Sequence, residues 1–97
     1  MPKLFSFGGL NIFIWTSEGR PLEPIHVHVS QGDMHPGSPK FWLSKDGYFV
    51  AAGSYKGYRK MYSALEKFIE RGGVNILKSN WVRTFDLSSE EEIKYYK

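Results

Sequence analysis

The hydrophobic period of this chain changes once. Up to Ala52 the apolar residues come in short runs or alternate every second position, whereas from Tyr58 they recur as Tyr58, Met61, Tyr62, Leu65, Phe68 and Ile69. That later spacing places them on one face of an α-helix, because side chains three and four apart stack along the same side. Arg59, Lys60, Ser63, Glu66, Lys67 and Glu70 fill the opposite face. Gly72-Gly73 predicts the end of this helix, since glycine enters the left-handed cap conformation most easily. A second helix is predicted from Val74 to Arg83, with Val74, Leu77, Trp81 and Phe85 as its buried edge. So short a link implies a tight helical hairpin or a bent pair.

The period-two region resolves into strands. Leu10–Trp15 is β-branched and aromatic on both faces. Ile25–Ser30 alternates cleanly, with Ile25, Val27 and Val29 toward a core and His26, His28 and Ser30 sharing the other face. Thr16–Pro21 reads as a turn, and the Gly and Pro residues between Gly32 and Pro39 exclude regular structure there. Lys40–Ser44 is a third strand, and Lys45-Asp46-Gly47 signals a hairpin into Tyr48–Ala52, a fourth strand or short edge. Ser88 with Glu91 and Ser89 with Glu92 form overlapping capping boxes, which allow a short terminal helix or a frayed tail. Strands first and helices after give an α+β domain: a small antiparallel sheet of three to four strands followed by two helices packed on one face. The expected layout is one domain over residues 1–97, with the sheet about 10–52, helices about 55–85 and a tail 86–97.

Composition narrows the function classes. An aromatic content of 16% excludes disorder for most of the chain. No run approaches the roughly 18 apolar residues of a membrane span. Residues 1–9 carry neither a long apolar stretch nor a small-residue cleavage site, so no secretory leader is expected. The absence of cysteine removes disulfides, thiolate metal sites and cysteine nucleophiles, and fits a cytoplasmic location. Charge is unevenly spread. Met1–Pro39 sums to −1 and Asp86–Lys97 to −2. Lys40–Phe85 sums to +6, from nine Lys and Arg against Asp46, Glu66 and Glu70. Such a segment is either a phosphate-binding surface, for which Lys56, Arg59, Lys60 and Lys67 on the first helix are the candidates, or a solvated face.

His26 and His28 carry the most distinct chemistry. On a strand, i and i+2 side chains project together with Cα atoms about 6–7 Å apart, which lets two imidazoles converge on one ion. Asp33 is the candidate third ligand, with His35 and Glu23 as alternatives; a His/carboxylate set suits a divalent metal such as zinc or manganese. Equally, His26 and His28 are candidate catalytic residues, one acting as general acid or base and the other orienting it or touching phosphate beside the basic helix. The third reading is structural, with both rings packed on a half-buried sheet. The aromatics divide the same way: Trp15, Phe41, Trp42, Tyr48 and Trp81 either stack bases or fill a core too small to do without large rings.

Taken in order, Glu18-Gly19-Arg20, Glu23-Pro24-Ile25-His26-Val27-His28-Val29, Gly32-Asp33 and Lys40-Phe41-Trp42-Leu43 resemble the bacterial domain-of-unknown-function family 4160. The resemblance runs from about Pro2 to Phe85. Ile25 stands where that family has a second proline, the Asp33–Lys40 loop is longer, and Arg20–Glu23 carries an insertion. The family implies no established activity; its members resemble components of small prokaryotic two-gene modules of toxin–antitoxin type. The resemblance therefore implies a component of such a pair with a small protein partner, and the +6 central segment adds RNA or DNA as a further candidate ligand. A metal-dependent or acid–base enzyme centred on the His-x-His strand is the alternative.

Overall fold

A computed structural model describes residues 3–16 and 22–96. The turn expected over Thr16–Pro21 lies outside them apart from Thr16. Strands β1 (Lys3–Phe7), β2 (Leu10–Phe13), β3 (His26–Gln31), β4 (Lys40–Leu43) and β5 (Phe49–Ala51) precede helices α1 (Tyr58–Glu70) and α2 (Gly73–Thr84). The strands form one antiparallel sheet in sequence order, each paired with its neighbours.

The α+β class is as expected, but among the described residues the sheet has five strands rather than three or four. The additional strand is β1, joined to β2 by Gly8-Gly9 with φ of 59° and 82°. Positive φ at both positions is the requirement of a tight primed turn, which matches the twist of the flanking strands. The signal lay in Phe5-Ser6-Phe7-Gly8-Gly9-Leu10, a hairpin cue as good as Asp46-Gly47, where Gly47 has φ of 88° and Ser44 N–H donates to Tyr48 O at 2.8 Å.

Cross-strand register assigns each side chain to a face, because directly opposite residues project together. One face carries Ile12 beside Val29 and Val27 beside Phe41, with Leu43 beside Phe49. All are buried and share one cluster with Ala64, Leu65 and Phe68 of α1 and Leu77 and Trp81 of α2, Trp81 also reaching the ring of His26. The opposite face pairs Phe13 with His28 and His26 with Trp42. α1 spans the helix predicted from its spacing, though its burial centres on Ala64, Leu65 and Phe68, and Tyr58 at its start is 50% exposed. Gly72, at φ 79°, breaks the chain between the helices. At Gly73 the reason for glycine is different: a Cβ there would lie 2.5 Å from Phe68 Cγ and Phe68 O. Such contact leaves no room for any side chain.

The C-terminal segment is tied down. Ser89 caps a single 3-10 turn, Glu90–Glu92, by accepting from Glu91 N–H, while Glu92 Oε1 accepts from Ser88 N–H. A capping box at Ser89 would satisfy the N–H groups of Glu92 and Ser89; here each bond falls one residue earlier, on Glu91 and Ser88. Ile93 is buried, Ile25 N–H donates to Lys94 O at 2.8 Å, and Tyr96 stacks on Trp42 with centroids 5.8 Å apart.

Candidate functional site

Strand alternation brings His26 and His28 to one face as expected, and their rings meet edge-on with centroids 5.2 Å apart. His26 Nδ1 lies 2.9 Å from Pro24 O, and His28 Nδ1 lies 2.9 Å from Ser38 O. A carbonyl only accepts, so both Nδ1 atoms carry the proton. Aromatic rings enclose the pair. His28 stacks on Phe13 at 5.5 Å, and His26 stands edge-on to Trp42 at 5.5 Å and to Trp81 at 5.2 Å. Exposure falls to 1% for His26 and 2% for His28. The half-buried polar face of the sequence reading is thus closed: no substrate reaches either imidazole unless its cover moves.

The proposed third ligand is elsewhere. β3 continues for three residues beyond His28 before it turns, about 10 Å of strand, so exposed Asp33 is carried away from the rings. His35 sits in an exposed turn where its Nδ1 accepts from Gly37 N–H at 3.2 Å. Glu23 pairs with Lys40 Nζ at 2.6 Å. Among the described residues no group of three or more His, Cys, Asp or Glu side chains is placed to hold a metal ion. The set His26, His28 and Asp33 is therefore not assembled.

The imidazoles do not stand beside the basic helix either. α1 covers the face of Phe41 and Phe49, through Tyr62 on Phe41 (5.3 Å) and Phe68 on Phe49 (6.3 Å). Alternation puts the histidines on the reverse face. What gathers around them is the remainder of the motif. Lys40, opposite His28, pairs with Glu23 and lies 5.1 Å above the Trp42 ring, while Pro24 supplies the carbonyl that orients His26.

The four predicted phosphate contacts behave differently from the histidines. Lys56, Arg59, Lys60 and Lys67 are all exposed. Lys67 is drawn toward Glu70 at 3.6 Å, the one ion pair on α1 among the described residues. Lys56, Arg59 and Lys60 surround the first turn of α1, which contains no acidic residue. At about 100° per residue, Arg59 occupies the crest, Tyr58 and Tyr62 one flank, and Lys60 and Ser63 the other. Both flanks open into clefts. One of about 300 Å³ is lined by Ala51, Gly53, Ser54, Tyr55, Tyr58 and Tyr62. The other, about 290 Å³, is lined by Phe7, Gly8, Leu10, Arg59, Lys60 and Ser63.

This double groove escapes sequence reasoning because Tyr58 and Tyr62 fit the apolar helical stripe and read as core. The only cue is that Tyr55, Tyr58 and Tyr62 carry hydroxyls where a core would use Phe or Leu. Of the aromatics considered as a stacking platform, Phe41 and Trp81 are fully buried, and Phe41 and Trp42 occupy opposite faces. No family model, curated protein or solved structure matches the chain.

Proposed function

We propose that this protein is a nucleic-acid-binding component of a small two-protein regulatory module of toxin–antitoxin type. The observation that carries the reading is the cluster of Lys56, Arg59 and Lys60 around the first turn of α1, unopposed by acid there and flanked by clefts containing exposed Tyr58 and Phe7. Interleaved cations and aromatics suit a phosphate backbone with its bases. The resemblance to family 4160 supplies the second half of the proposal, a small protein partner; co-elution with the product of the adjacent gene tests it.

Burial of His26 and His28 supports a structural role for the pair, so the reading routes no catalytic step through them. Binding to labelled oligonucleotides by fluorescence anisotropy tests the nucleic-acid half. Contacts from three cations should give a slope of log affinity against log salt of about −2 on single strands, since each phosphate contact contributes about −0.7. Arg59→Gln should flatten that slope by about 0.7. Absence of binding near 50 mM salt, or binding indifferent to salt, overturns the proposal.

A further inference from the structure

We infer that the tyrosine-lined cleft at the start of α1 receives one unstacked base of a single-stranded nucleic acid, with the neighbouring cations holding its phosphates. The inference rests on the nucleic-acid reading above and names the form of strand and the residues that select it.

Three features converge on this cleft. The first is a fixed wall. Tyr55 Oη accepts from Lys40 N–H at 3.2 Å and Tyr62 Oη accepts from Ala51 N–H at 2.9 Å, so both rings are anchored to the sheet. Rings held before the ligand arrives lose little freedom on binding. The second is a free stacking surface. Tyr58 is 50% exposed and stands perpendicular to Tyr62 (6.0 Å, 89°), so half of its surface is open to a planar guest. The third is charge beside the cleft: exposed Lys56 precedes Tyr58 by two residues, and exposed Arg59, which lines the adjoining cleft, follows it. Phosphates on either side of an inserted base would meet a cation while the base meets the rings. About 300 Å³ lies at the low end of the roughly 300–1,000 Å³ of small-ligand sites and has room for a base. A duplex keeps its bases stacked inside and offers none to such a cleft.

Gly53 makes the cleft separately testable. Its φ is not in the left-handed range, and a Cβ there would sit 3.3 Å from Tyr55 Oη, against the cleft wall. Gly53→Leu therefore crowds the cleft from exposed backbone without replacing a tyrosine or a cation, the Tyr55 ring yielding by a few tenths of an ångström. Tyr58→Ala removes the stacking ring instead. Melting curves first establish that both variants are folded; affinity is then measured for 12-nucleotide RNA and DNA single strands and for the matching duplexes. The expected result is tighter binding to single strands than to duplex, a loss of about fivefold or more in each variant, and an unchanged salt slope. Preference for RNA or for DNA names the sugar, and either sustains the inference. Wild-type-like single-strand binding by both variants, or equal affinity for strand and duplex, overturns it, while a lost response in Arg59→Gln alone would leave the broader reading standing. If the wild type binds nothing, both fall.

Discussion

Gly73→Ala is the most diagnostic single substitution for the architecture, because two effects oppose each other and the structure decides the sign. Gly73 opens α2 with helical backbone, and alanine in a helix is favoured over glycine by up to about 1 kcal/mol. Propensity alone thus predicts a stabilised protein. The built position contradicts that. An added Cβ falls 2.5 Å from Phe68 Cδ1, Cγ and O. The ring could rotate away, but the carbonyl is backbone within the last turn of α1, and Phe68 also packs on Phe5 (5.6 Å) and Phe49 (6.3 Å). Relief therefore requires the helices to separate. Overpacking of this kind costs about 1–3 kcal/mol, enough to outweigh the propensity gain. In a domain this size each kcal/mol shifts the midpoint by roughly 4–8 °C, so a fall of several degrees is expected in thermal melts followed by circular dichroism. Urea titration should show a lower midpoint with an unchanged m-value, as expected of an altered stability alone. A Gly73→Ala protein that melts at or above the wild type would show that the helices do not approach this closely, and the placement of α2 would have to be abandoned.

Two further expectations concern the histidine face. His26→Ala and His28→Ala should each destabilise by about 1–3 kcal/mol through a lost buried hydrogen bond, with a non-additive double variant because the rings touch; urea unfolding of the four proteins completes that cycle, and chelator should leave every midpoint unmoved if no metal is held there. Lys40→Met keeps the stem over Trp42 but removes the pair with partly exposed Glu23, so stability should change by less than about 1 kcal/mol; a larger loss in the same assay would make that pair a structural keystone.

Local spacing was enough for much of the fold. The helical stripe from Tyr58 and the Gly72 break define α1 by periods that need no distant partner. Alternation in Ile25–Ser30 likewise fixed that His26 and His28 share a face. The hairpin of β1 and β2 was equally local and was written in Gly8-Gly9.

What lay beyond the sequence was which surfaces are covered. Alternation tells which residues project together but not what comes to rest on them. Only chain return decides that Trp81 and Trp42 enclose His26, that the segment ending at Tyr96 lies over Trp42, and that α1 takes the reverse face. The same long-range packing turned two tyrosines of an apparent core stripe into the wall of an open cleft. Periodicity is a property of neighbours along the chain, whereas burial depends on contacts between residues far apart in it. Here the residues with the richest chemistry were enclosed, and the accessible surface fell to tyrosines and cations.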